Sequence, residues 1–169
     1  MFESECRVNP WLVLRTKSHH ESVVESVLQQ KQVPTYLPKR AVVRCCQGRK
    51  RKVEVPLFPG YVFVRPSASQ YEGMRYIRGS CGFVLASGRP AALPEQDLDA
   101  VKMLVDSGAD FTVDPELVAG TKVRIVSGAL SGVHGELVRI KNQQILVVNV
   151  DVVGSSVRVE LDRGAIEAL

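Results

Sequence analysis

The chain has 169 residues, 45% of them hydrophobic and 24% charged, and a formal net charge of +4. These proportions are typical of a folded globular protein and exclude a chain that is largely disordered. No apolar run approaches the roughly 18 residues that a membrane-spanning helix needs, and the charged residues near the start argue against a secretory signal. We therefore expect a cytoplasmic protein with no membrane contact.

The charge is distributed unevenly between the two ends of the chain. Residues 1–112 carry 16 Lys and Arg against 11 Asp and Glu, whereas residues 113–169 carry 6 against 7. The difference indicates two modules with different partners, the first of which favours phosphate groups.

The cysteines and histidines have no spacing typical of a metal site. The four cysteines include no C-x-x-C pair, and the three histidines are His19, His20 and His134. A structural zinc site needs four converging ligands of these types. We expect neither a metal nor a cofactor.

The first strand and helix are predicted from short local patterns. Residues 11–14 (WLVL) form an apolar run typical of a buried strand. Ser18 and Glu21 have the spacing of a capping box, which predicts a helix start. The helix is expected to bury four apolar residues with helical spacing: Val23, Val24, Val27 and Leu28.

A β-hairpin and an aromatic strand follow. Two β-prone runs, 41–44 and 53–55, flank a segment in which Gly48 supplies the turn and residues 49–52 (RKRK) crowd the tip. The strand at residues 61–64 (YVFV) places Tyr61 and Phe63 on one face, because side chains alternate along a strand.

The rest of the first module adds two helices and a strand. We expect a helix within residues 67–76, a strand at 83–85, and a helix beginning near Pro94 with acidic residues in its first turns. Strands and helices in this order predict an α+β fold, a small antiparallel sheet flanked by helices.

The second module is predicted to be all-β. Residues 123–126, 137–140, 145–150 and 157–161 are β-prone runs separated by glycines, which is typical of a small closed SH3-like β-barrel. Because Val, Ile and Gly are poor helix formers, we expect this barrel to be permanent. The predicted domains are residues 1–106, a linker at 107–118, and residues 119–169.

The ordered set of motifs resembles the NusG family of transcription elongation and antitermination factors. The match runs from about residue 11 to 169, and any single piece of it is weak. Its pieces are LFPGYVFV at 57–64, Arg78-Gly79 followed by GFV at 82–84, residues 90–93, and a KOW-like motif from VAGTKVRI at 118–125 through GELV at 135–138.

This resemblance implies a non-catalytic monomer that binds the clamp helices of the largest RNA polymerase subunit. The expected polymerase contacts are the apolar residues Tyr61, Phe63, Phe83 and Leu85, the last two extending the face of the first two. The expected contacts to upstream or non-template DNA are Lys17, His19, His20, Arg40, Arg49, Lys50, Arg51, Lys52 and Arg78. In the second module, Val152 and Val153 are the expected contacts to a ribosomal protein or to Rho.

Several alternatives stay open at this point. The aromatic residues would also suit a core, and the basic residues would also suit a solvated hairpin. The hairpin, and residues 70–76 (QYEGMRY), favour a specialised, RfaH-like member of the family over a general factor. A ribosome-associated KOW protein that binds RNA is a second function, and a cysteine enzyme has no supporting motif.

Overall fold

The structure is a computed structural model that describes residues 9–108, 111–114, 121–126, 130–140, 143–150, 155–160 and 166–168. It divides into two compact units, Met1–Leu37 with Pro59–Glu95, and Pro38–Phe58 with Gln96–Leu169. Within the described ranges, no helix is both long and apolar enough to cross a membrane.

The elements follow one another in a mixed order of strands and helices. The helices are α1 (Glu21–Gln30), α2 (Ala68–Tyr71), a 3₁₀ helix (Glu72–Tyr76) and α3 (Glu95–Ser107). The strands before α3 are β1 (Trp11–Thr16), β2 (Thr35–Tyr36), β3 (Lys39–Cys46), β4 (Arg49–Pro56), β5 (Tyr61–Val64), β6 (Ser80–Phe83), β7 (Leu85–Ala86), β8 (Arg89–Pro90) and β9 (Ala92–Leu93). The later strands are β10 (Phe111–Asp114), β11 (Thr121–Ile125), β12 (His134–Ile140), β13 (Gln143–Val150), β14 (Ser155–Glu160) and β15 (Ile166–Ala168).

The first unit is built on an antiparallel sheet with strand order β2-β5-β1-β6, to which β9 adds by pairing with β1. Leu14 lies opposite both Val62 of β5 and Phe83 of β6. Residues directly opposite each other share one face of a sheet, so these three side chains point the same way. Val13 and its partner Phe63 point to the other face. The predicted α+β class is confirmed.

Helix α1 packs on the Leu14 face of this sheet. Val24 and Leu28 are fully buried in the core cluster with Leu14 and Val62. The prediction that Val23 is buried is wrong, because its side chain is 44% exposed. The buried stripe instead contains Glu21, Val24 and Leu28, at i, i+3 and i+7.

The predicted capping box at Ser18 is also wrong. The residue that caps α1 is His20, and no side chain bonds the cap. Glu21 is only 5% exposed and bonds to a distant residue, Gly60, so its carboxylate is not available to the helix start. A bond of the capping-box kind occurs at α2, where the Ser67 N–H donates to Gln70 Oε1 at 3.0 Å.

The predicted hairpin is confirmed, with longer strands than expected. β3 and β4 pair antiparallel over eight residues each, from Lys39 opposite Pro56 to Cys46 opposite Arg49. The turn residues Gln47 and Gly48 both have left-handed backbone angles, φ 51° and 74°. Such a pair defines the two-residue turn that suits the twist of a hairpin.

The later strands form a sheet with the order β10-β14-β13-β12-β11-β15. They include the predicted β-prone runs, and the described residues after Gly108 contain no helix. Strand β10 lies inside the predicted linker and pairs with β14. Closure of a barrel and the domain boundaries stay predictions, and Val152 and Val153 lie outside the described residues.

Candidate functional site

A glycine corner fixes the start of β5, the strand that carries the predicted polymerase contacts. The Gly60 N–H donates to Glu21 Oε1 at 2.8 Å, and the Gly60 carbonyl accepts from the Thr16 N–H at 2.8 Å. Gly60 has φ +85°, a conformation that other residues rarely adopt. The buried carboxylate of α1 and the end of β1 therefore hold this corner together.

Tyr61 follows the corner directly and lies at the surface of the sheet. Its neighbour across the strands is Arg15, which is exposed, and Tyr61 itself is half-buried. A half-buried tyrosine leaves part of an amphipathic ring open to contact. The polymerase contact of Tyr61 stays a prediction.

Phe63 lies in the core, which is the alternative that the sequence left open for the aromatic residues, so it offers no surface beside Tyr61 for the predicted polymerase contact. Its side chain is 1% exposed, and its ring stacks on Tyr36 with centroids 6.5 Å apart and planes at 18°. Phe63 sits on a strand with a paired neighbour on each side, opposite Val13 and opposite Tyr36. Its large apolar ring is buried at the centre of the sheet, as apolar strand residues usually are.

Phe83 and Leu85 do not extend the face of Tyr61, which corrects the predicted single patch. The register with Leu14 places Phe83 on the face opposite to Tyr61, where it stacks on Tyr71 at 4.8 Å. Leu85 is 61% exposed and lines a cavity of about 480 Å³ together with Phe83 and Tyr71. Leu85 lies in β7, which pairs with β8 in a separate two-stranded sheet and not with the sheet that carries Tyr61.

The predicted nucleic-acid residues fall into two groups. The first lies on the hairpin, where Arg49, Lys50, Arg51 and Lys52 are exposed along β4. Arg40 is half-buried near the base of β3, and its Nε has no hydrogen-bond partner among the residues that the structure describes. The hairpin belongs to the second unit of the chain.

The second group lies where the loop before α1 meets Gly79. The Lys17 N–H donates to the Gly79 carbonyl at 2.8 Å, which brings exposed Lys17 near exposed Arg78. A Cβ added at Gly79 would lie 2.9 Å from the Cβ of His20, so the two backbones approach closely. Exposed His19, with φ 61°, belongs to the same loop.

The sequence patterns missed the role of one exposed and one buried residue. Arg44 lies directly opposite Arg51 in the hairpin, and alternation along β3 from Arg40 would have found it. Glu21 was assigned to a cap, and no local signal links it to Gly60, which lies 39 residues away.

The structure describes three of the four cysteines. Cys45, Cys46 and Cys81 are free thiols at the surface. Among the residues that the structure describes, no three His, Cys, Asp or Glu side chains converge in a way that could hold a metal ion.

Comparisons with known proteins show which family the chain resembles. Residues 9–102 match the family model described as "Transcription termination factor nusG". The chain is 31% identical to a transcription termination/antitermination protein NusG of Lactococcus lactis, over 93% of this chain and 91% of that protein. It is 27% identical to the protein of the same name in Treponema pallidum, over 94% of this chain and 98% of that protein.

A solved structure supports the fold. The structure of Thermotoga maritima NusG superposes with a TM-score of 0.54 at 22% identity, covering 95% of this chain and 97% of that one. The fold and the relatives define a transcription factor of the termination and antitermination class. Within that class, the chain belongs to the NusG family. This is a family of non-enzymatic factors.

Proposed function

We propose that this protein is an elongation and antitermination factor that binds bacterial RNA polymerase through its N-terminal domain. The observation that carries the proposal is family membership across residues 9–102, which contain the Gly60 corner and Tyr61. Binding to the clamp helices of the largest subunit favours the closed clamp, since a ligand that binds one conformation better shifts the equilibrium toward it. Such binding promotes processive elongation without covalent chemistry.

Tyr61 is the proposed centre of the polymerase contact. Its ring is half-buried, so little rotational freedom remains to be lost on binding, and Arg15 beside it adds a planar cationic group. Tyrosine and arginine are the residue types enriched among energetically dominant interface positions. Phe63 supports the strand from the core, and the exposed Leu85 of β7 is a candidate second contact.

The basic groups are proposed to contact the DNA at the upstream edge of the transcribing complex. Lys17, His20 and Arg78 meet at one loop of the first unit, and the hairpin of the second unit separately carries the exposed cations of β4. Lysine and arginine contacts to phosphate supply affinity that depends on salt. The KOW-like domain then recruits a further partner, a ribosomal protein or Rho, through the region of Val152 and Val153. A specialised, operon-specific role stays a prediction.

An in vitro transcription experiment tests the proposal. Purified polymerase is run on a template with known pause sites, with the protein and without it. We expect shorter pauses and more full-length transcript with the protein, and retention of polymerase on the immobilised chain. An unchanged pausing profile with no retained polymerase would overturn the proposal, and cosedimentation with ribosomes alone would favour the RNA-binding alternative.

A further inference from the structure

The register of the hairpin sorts its basic residues by type onto opposite faces. Residues at alternate positions, and residues directly opposite each other, share a face of a two-stranded ribbon. One face carries Arg40, Val42, Arg44, Cys46, Arg49, Arg51, Val53 and Val55, and is called here the arginine face. The other carries Lys39, Ala41, Val43, Cys45, Lys50, Lys52, Glu54 and Pro56, and is called the lysine face. All four guanidinium groups are therefore on one side, with no acidic residue among them.

The outer part of this ribbon is accessible on both faces. Every residue from 43 to 52 is exposed, which includes Arg44, Arg49 and Arg51. Eight residues per strand correspond to a length of roughly 26 Å. The ribbon is therefore long enough, and open enough, to enter a groove of a nucleic acid.

Groove dimensions favour duplex DNA over duplex RNA. The major groove of B-form DNA, about 12 Å wide, admits a two-stranded β-ribbon. The major groove of A-form RNA is too deep and narrow for side chains to reach the bases. Arg49 and Arg51 are two residues apart on β4, a separation of about 6.7 Å, which is close to two base-pair steps.

We propose that the arginine face of the hairpin contacts guanine in the major groove of duplex DNA. The guanidinium group forms a planar fork that bonds the O6 and N7 atoms of guanine together, whereas an ammonium group acts as a point charge. Arg44, Arg49 and Arg51 are the base-contacting residues, and Lys50 and Lys52 reach the phosphates. The inference deepens the proposed DNA contact and rests on it, because it adds base preference to a contact otherwise made to the backbone.

Two adjacent thiols report which face meets the DNA. Cys46 lies on the arginine face opposite Arg49, and Cys45 lies on the lysine face opposite Lys50. Both are exposed and free. Because they are neighbours in the same strand, their local surroundings differ chiefly in the face that they occupy.

The first test measures binding of the full chain to bare DNA by fluorescence anisotropy. The probes are a G·C-rich duplex, an all-A·T duplex of equal length, and the G·C-rich duplex with 7-deazaguanine, which lacks only the N7 acceptor. We expect tightest binding to the unmodified G·C-rich duplex, a loss of about 5- to 150-fold on the all-A·T duplex for each bidentate contact, and an intermediate affinity for the 7-deazaguanine duplex, which keeps the O6 acceptor. The same affinity for all three duplexes would overturn the inference. Tighter binding to a duplex RNA of the same sequence, measured as a fourth probe, would also overturn it.

Matched variants separate the two faces. The double variant Arg49→Lys with Arg51→Lys keeps the charge, so we expect it to bind both duplexes but to lose the preference for G·C. The double variant Lys50→Gln with Lys52→Gln should weaken binding to both duplexes equally and keep the preference. Circular dichroism checks that each variant is folded. The reverse pattern would contradict the assignment of the faces.

Alkylation of the two thiols tests the same assignment without changing an arginine. Variants that retain only Cys45 or only Cys46 are treated with N-ethylmaleimide, with and without the G·C-rich duplex. We expect DNA to slow alkylation of Cys46 more than that of Cys45, and equal or opposite protection would contradict the inference. Polymerase retention by the same variants is measured in parallel. If the variants retain polymerase but the protein shows no preference for G·C-rich DNA, this inference is refuted and the proposed function is not.

Discussion

Replacing Glu21 by alanine tests whether the buried carboxylate holds the Gly60 corner. The substitution removes the acceptor of the Gly60 N–H and leaves that donor without its partner at 2.8 Å. Hydrogen bonds to charged groups contribute about 1.5–3 kcal/mol, so we expect a loss of about 2 kcal/mol in the free energy of unfolding. For a domain of this size, that loss lowers Tm by roughly 8–16 °C. Glu21→Gln keeps a neutral acceptor for the Gly60 N–H, so its loss in the free energy of unfolding should be about half as large.

The single tryptophan provides the signal for this measurement. Trp11 begins β1, and Thr16 at the other end of this strand donates its N–H to the Gly60 carbonyl. The fluorescence of Trp11 therefore follows unfolding of the sheet that contains the corner. Glu72→Ala is the matched control, because Glu72 is exposed and its removal should change stability by no more than about 0.5 kcal/mol. If Glu21→Ala and Glu72→Ala unfold at the same urea concentration, the carboxylate does not hold the corner.

Three further predictions concern the core, a second glycine and the hairpin. Phe63→Ala should lower the free energy of unfolding by about 3–5 kcal/mol in urea denaturation, because the ring is buried; a loss below about 1 kcal/mol would contradict its burial. Gly79→Ala should lower the free energy of unfolding by about 1–3 kcal/mol, since φ at this residue is +91° and the new Cβ would meet His20. Its control is Gly73→Ala, at a glycine with open space around it. Lys50→Gln with Lys52→Gln should reduce the slope of log affinity against log salt by about 2 in DNA titrations, and an unchanged slope would exclude phosphate contacts by these lysines.

Local patterns predicted much of the fold because they depend on neighbours in sequence. Gly48 between two β-prone runs predicted the hairpin, and both turn residues adopt the backbone angles that such a turn needs. The spacing of Val24 and Leu28 predicted α1, and its buried stripe includes both. Alternation within residues 61–64 separated Tyr61 from Val62 and Val64, as the structure does.

Long-range pairing was not predictable from the same patterns. Phe83 was assigned to the face of Tyr61, but its face depends on pairing with Leu14, a residue 69 positions earlier. Glu21 fits a capping box locally, yet its carboxylate bonds Gly60. Phe63 alternates correctly with Val62, but alternation does not tell whether the other face of a sheet is covered. Strand register and burial depend on tertiary structure, which is why the predictions for Phe83, Glu21 and Phe63 failed.

The affinity of purified RNA polymerase for two tyrosine variants tests the central claim most directly. Tyr61→Ala removes the proposed contact, whereas Tyr76→Ala removes a tyrosine that is 81% exposed at the end of the 3₁₀ helix. Loss of an aromatic anchor costs about 1–3 kcal/mol, so we expect Tyr61→Ala to raise Kd about 5- to 150-fold and Tyr76→Ala to leave it unchanged. Equal affinities of the two folded variants and the unaltered protein would contradict the proposed polymerase contact.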